Sequence, residues 1–231
     1  MIVKSLYFEL LKWSRLCLSY VAVVLLSMTV YGQREIKNGV VIDHNAEKII
    51  KNITEKLSAD TPISFNFMFK VKQTDKVTQS EKGSFLSNGN KFKIITDNFE
   101  DYSDGQTLWH YLKTTNEVEI SDASEGGSMF NFSNMITSYL KDYRPKLIRE
   151  ETREKIAYNV LDLSPIKRGN VLKVRIIAVK STNRISEMII YTADNVYSYT
   201  LSNYKTKQKT SAIDFTFPLK EHPNVQQVDL R

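Results

Sequence analysis

The sequence predicts an α+β fold in which one antiparallel sheet curls and helices cover it. Three observations carry this expectation. Ile63, Phe65, Phe67, Phe69 and Val71 alternate with Ser64, Asn66, Met68 and Lys70, which makes one face of a strand dry and the other wet. About ten short segments of strand character follow one another at close spacing, joined by turn residues, as in a meander. Two other segments repeat apolar residues at the three-and-four spacing of a helix.

The start of the chain differs from the rest. Lys4, Lys12 and Arg15 precede an apolar run from Leu16 to Tyr31, and the polar Gln33, Arg34 and Glu35 follow Gly32. Basic, apolar and small residues in that order are the layout of a secretory signal, so residues 1–32 are expected to be removed and 33–231 to form a single domain. The apolar run is shorter than the roughly 20 residues that span a bilayer, which argues against a retained anchor. Cys17 precedes the apolar run, whereas a lipidated cysteine would follow it. With the signal gone no cysteine remains, excluding disulfides and thiol chemistry.

Residues 33–42 have weak periodicity. Ala46, Ile49, Ile50, Ile53 and Leu57 then mark a helix, with Asp43 or Asn45 at its start and Asp60-Thr61-Pro62 at its end. After the aromatic strand from Ile63, further strands are expected at 81–87, 91–97, 107–113 and 116–121. Asp104-Gly105 reads as a hairpin turn, because this pair relaxes into positive φ at small steric cost. On the strand that leaves it, Thr107, Trp109 and Tyr111 share a face, and His110 points the opposite way, towards solvent. Ser124 to Ser128 reads as a hinge before a second helix bearing Phe132, Met135, Ile136, Tyr139, Leu140 and Tyr143, which Pro145 stops. Strands resume at 158–164, 171–179, 184–191, 196–203 and 213–217. Two helices cannot cover both faces of so many strands. They must sit over the concave side or the open mouth of a curled sheet. Such a sheet either fills itself with side chains or keeps a hole for a ligand, and the pattern alone leaves both open.

The chain carries 32 basic and 26 acidic side chains, a mild excess of +6 that is densest at Lys205, Lys207 and Lys209. That cluster reads as a solvated loop, and nothing else points to nucleic acid. The 3 histidines, His44, His110 and His222, stand far apart, with no paired metal-ligand spacing. Asp97, Glu100, Asp101 and Asp104 read as a charged turn region, because their spacing fails that of a calcium loop. No nucleophile elbow or phosphate loop is present, so neither enzyme chemistry, cofactor nor metal is expected.

The run Tyr102-Ser103-Asp104-Gly105-Gln106-Thr107-Leu108-Trp109-His110-Tyr111 resembles the "SDGKTLWFY" segment of LolA-type outer-membrane lipoprotein carriers. Asn159 to Pro165, Phe215-Thr216-Phe217-Pro218 and the ending Val228-Asp229-Leu230-Arg231 resemble further family segments in the same order. The resemblance implies an unclosed (half) antiparallel β-barrel with a helical lid over an apolar cavity. It also implies a monomeric periplasmic chaperone that takes acylated lipoproteins from an inner-membrane ABC transporter complex and delivers them to the outer membrane, with or without a receptor there. The expected acyl-chain-binding residues are Phe65, Phe67, Phe69, Phe85, Phe92, Ile94, Trp109 and Tyr111 from the sheet, with Phe132, Met135, Ile136 and Tyr139 from the lid. The family's lid arginine has no counterpart in Leu86 to Phe92, where Lys91 offers no planar fork. Two other functions fit the same pattern: a lipid- or lipoprotein-sensing regulatory domain on this scaffold, and a carrier of another long-chain lipid.

Overall fold

The computed structural model describes residues 34–37, 40–124 and 142–231. The proposed signal segment and Phe132, Met135, Ile136 and Tyr139 lie outside the described residues. The chain divides into two compact units, Met1–Asn45 and Ala46–Arg231. In the first, β1 (Arg34–Lys37) pairs antiparallel with β2 (Val40–Asp43), and the His44 ring lies 3.1 Å from the Glu35 carboxylate.

Helix α1 (His44–Asp60) ends where Pro62 was expected to end it. Its buried side chains, Ala46, Ile50 and Ile53, lie at helical spacing and pack into the core. The following strands are β3 (Ile63–Gln73), β4 (Lys76–Asn88), β5 (Lys91–Thr96), β6 (Phe99–Ser103), β7 (Thr107–Leu112) and β8 (Glu117–Asp122). After residue 142 come β9 (Tyr143–Arg153), β10 (Ile156–Pro165), β11 (Val171–Val179), β12 (Arg184–Thr192) and β13 (Val196–Thr206), and finally β14 (Gln226–Asp229).

Among the described residues, β3 to β14 form one 12-stranded sheet in the order β14-β8-β7-β6-β5-β4-β3-β13-β12-β11-β10-β9. Every neighbouring pair is antiparallel except β14 with β8. The sheet is an unclosed half-barrel, with β9 and β14 at its two ends. The joining of β13 to β3 places the two meanders side by side, so that Phe67 pairs with Leu201 and Phe69 with Tyr199.

Three sequence expectations are corrected, and one strand is added. Residues 99–103 form strand β6, not a turn, since Phe99, Asp101 and Ser103 alternate towards the covered face and their ladder joins β5 to β7. Residues 143–153 form β9, and Pro145 sits inside it instead of stopping a helix. β9 is an edge strand, where a residue without an N–H costs no ladder bond. The segment expected as a strand at 213–217 holds a 3-10 turn, Ala212–Phe215. The C-terminal residues add the parallel strand β14.

Candidate functional site

The inner face of the half-barrel is the face that α1 covers. Strict alternation in β3 brings Phe65, Phe67 and Phe69 there; Phe85 of β4 and Phe92 and Ile94 of β5 join them. Cross-strand register places Phe65 opposite Phe85 and Phe85 opposite Ile94. The Phe65 and Phe85 rings stack with centroids 4.8 Å apart, and Phe69 lies 4.9 Å from Tyr199. All six side chains are buried, Phe67 being the most exposed at 6%. Ala46, Ile50 and Ile53 of α1 belong to the same cluster.

The other meander completes this face with residues that the sequence reading left out of the site. Leu161, Val174, Ile176, Met188 and Leu201 all enter the main cluster. Their alternation was visible, and only the pairing of β13 with β3 shows that they share a face with the phenylalanines.

Trp109 and Tyr111 are not brought to that face. Leu108, one residue away, enters the main cluster, so odd positions of β7 point outwards. Tyr111 packs instead with Tyr102, Val118 and Phe217, and Trp109 packs against that second cluster. The Tyr111 ring lies 5.1 Å from Phe217 and 4.7 Å from His222, and its hydroxyl donates to Asn116 Oδ1 at 3.0 Å. The segment after β13 therefore covers the outer face of β6 to β8, and the aromatic stripe packs beneath it.

The inner face changes character across the sheet. Beyond Ile94 the same cross-strand row continues through Asp101, His110 and Glu119. His110 is thus not solvent-facing: it is half-buried, with Nδ1 2.5 Å from Oδ1 of the buried Asp101. That hydrogen bond, with the charges of Asp101 and Glu119, raises the pKa of the ring above 6.5 against the opposing effect of burial. The other ring nitrogen has no hydrogen-bond partner among the described residues, so no nucleophile completes a triad there. On the outer face Glu100 accepts from Tyr102 at 2.7 Å and pairs with Lys113 at 3.0 Å. Burial raises the Glu100 pKa, but these partners outweigh it and hold the carboxyl below its ordinary value.

The end of α1 is tied down by charge. Asp60, 4% exposed, lies 2.6 Å from Lys56 Nζ and 3.4 Å from the Arg184 guanidinium on β12. Arg184 also lies over the Tyr204 ring at 5.8 Å.

A scan against protein-family models finds no match, and neither does a search of curated proteins. Similar solved structures do exist. An uncharacterized conserved protein from Thermus thermophilus matches with a TM-score of 0.57 at 12% identity, covering 80% of this chain and 99% of its own. A LolA superfamily protein from Nitrosomonas europaea matches with a TM-score of 0.42 at 17% identity, covering 74% of this chain and 97% of its own. A putative outer membrane lipoprotein-sorting protein domain from Vibrio parahaemolyticus gives 0.43 at 15%, with the same coverage of 74% and 97%. The Thermus likeness is one of fold, and that fold is the unclosed antiparallel half-barrel with a helix against its inner face.

Proposed function

We propose that this protein is a periplasmic carrier that shelters the acyl chains of lipoproteins on the inner face of its half-barrel and takes them from the inner to the outer membrane. The observation that carries the reading is that face: six contiguous large apolar side chains from β3 to β5, roofed by a helix, on a sheet that does not close on itself. Each methylene kept from water contributes about 0.8 kcal/mol, so acyl chains crossing an aqueous space require such a surface.

The sequence likeness to LolA-type carriers supports the cargo class and the export signal at residues 1–32, with the carrier domain at 33–231. In this reading Phe65, Phe67, Phe69, Phe85, Phe92 and Ile94 contact the chains, Phe132, Met135, Ile136 and Tyr139 complete the cover, and Trp109 and Tyr111 hold the scaffold. The polypeptide acts without catalysis or cofactor. An inner-membrane transporter hands over the cargo and an outer-membrane acceptor receives it. With the family's lid arginine missing, the Asp60–Arg184 pair is one charged tie between α1 and the sheet.

The test is to isolate the protein from the periplasm, extract bound material and identify it by mass spectrometry. Triacylated lipoprotein is the expected result. A different long-chain lipid would change the cargo, and a polar metabolite would overturn the reading. In parallel, Phe67→Glu should abolish binding of a fluorescent acyl probe while exposed Lys207→Ala leaves it intact. Phe67→Ala, which spares the fold from a buried charge, should weaken it at least tenfold. Equal probe binding by all three variants rejects the site.

A further inference from the structure

The outer face of the sheet carries a concavity that the inner-face site does not use. A groove of about 690 Å³ lies over β13, β3, β4 and β5, and its lining includes Ser64, Ser84, Leu86, Lys93, Lys205 and Gln208. Ladder register explains its shape. Lys205 stands opposite Ser64, Ser64 opposite Leu86, and Leu86 opposite Lys93, so one row crosses four strands with a lysine at each end. Neighbouring strands are about 4.8 Å apart, which puts the two lysine backbones roughly 14 Å from one another. The Lys93 ammonium rests over the Tyr102 ring at 4.9 Å, on the β6 side, and its flexible four-carbon stem lets it swing back towards Lys205 across the short Ser64 side chain.

The charged side chains that line the groove have one sign. Lys70 and Lys82 continue the same outward faces of β3 and β4, both exposed. Among the described residues none of these four lysines takes part in an ion pair, and no carboxylate lines the groove. Two acids lie near Lys93: Glu100, which pairs with Lys113, and Asp214, which Ser211 holds in its charged form. Elsewhere on the outer face some cations are matched: Arg175 and Lys173 hold Asp162, and Arg153 holds Glu187.

We propose that this lysine-rimmed groove docks the protein onto an anionic phospholipid surface, with Lys93 and Lys205 taking a headgroup phosphate between them. The occupant follows from the chemistry. Lysines are point charges without the fork that reads a fixed carboxylate, and the groove supplies hydroxyl and amide donors from Ser64, Ser84 and Gln208. The patch has no arginine and no exposed aromatic anchor of the kind that carries protein–protein affinity. A phosphate array that is fluid and dense suits such a face. The inference rests on the carrier reading, since a membrane is where an acyl chain is collected or delivered.

The experiment is co-sedimentation of the protein isolated from the periplasm with phosphatidylcholine vesicles, with and without phosphatidylglycerol, at low and raised salt. The periplasmic form is used because residues 1–32, with an apolar run and the cations Lys4, Lys12 and Arg15, would bind either vesicle by themselves. Binding should require phosphatidylglycerol and weaken with salt. Each lysine near the surface is worth about fivefold, so Lys93→Gln with Lys205→Gln should lose about 25-fold. Lys167→Gln with Arg168→Gln, exposed on the β10–β11 connection, should lose far less. Equal losses from the two pairs, equal binding to neutral vesicles, or tighter binding to an acidic peptide than to vesicles would each overturn the proposal. The acyl probe separates the two readings: the lysine pair should keep probe binding while losing vesicles, and Phe67→Ala should do the reverse. Vesicle docking by a chain that takes up no probe would remove the carrier reading and leave the docking face standing.

Discussion

Gly83 of β4 faces Phe67 of β3 on the inner face, and the phenyl ring occupies the place of the missing side chain. A β-carbon built at Gly83 would lie 2.3 Å from Phe67 Cζ and 2.8 Å from the Ile95 carbonyl oxygen. The ring could turn aside, but the backbone oxygen cannot. Gly83→Ala should therefore lower stability by about 1–3 kcal/mol, read as a reduced urea midpoint; an unchanged midpoint would show that the face is loose here. His110 makes a second residue-scale case. Its folded-state pKa is raised, so the Asp101–His110 pair gives its full stabilisation below the ordinary value of 6.5 and loses it as pH rises through the higher folded-state value. Melting temperature should fall across that window in the native protein, and His110→Gln should flatten the fall. A variant curve as steep as the parent's would assign the slope to other groups.

At the scale of elements, much of the sheet was legible and some of its joints were not. The strand at 171–179 and the helix ending at Asp60 follow from period and punctuation alone. The β9–β10 hairpin did not show, because its two-residue turn is Glu154-Lys155, held at φ 48° and 68°, where Asn-Gly would have been the readable signal. The β3–β4 turn, Thr74-Asp75 at φ 48° and 65°, has the same unusual chemistry, which is why β4 begins five residues before its expected start at Glu81. Residues other than glycine pay for the left-handed conformation, so Lys155→Gly should raise stability by about 1 kcal/mol, seen as a higher melting temperature. No gain would mean that the lysine side chain makes up the difference. Pro145 misled for a physical reason as well: it forbids helix interior and central strand alike, yet an edge strand tolerates it.

For the molecule as a whole, periodicity says that a strand has two unlike faces without saying which one looks inwards. In β3 that was no obstacle, since one face is all aromatic. In β7 both faces are covered, Leu108 by the main core and Trp109 and Tyr111 by the C-terminal segment, and the more aromatic stripe turned out to be the outer one. The six inner residues from β3 to β5 were thus recoverable from sequence, whereas Trp109 and Tyr111 were set on the wrong side. The acidic and imidazole row of Asp101, His110 and Glu119 was hidden for the same reason: its members lie on three strands and meet only through cross-strand register. The lysines of the outer groove are likewise scattered through β3, β4, β5 and β13, and collect on one face because sheet order differs from chain order.

The ends of the 12-stranded sheet, β9 and β14, belong to no common ladder. A sealed cylinder can widen only by tearing a seam of backbone bonds, and its bore is therefore fixed. Here the curl can slacken by small changes in twist spread over many strands, with every interstrand bond kept. The bore of such a trough is therefore set by the helix and side chains that fill it.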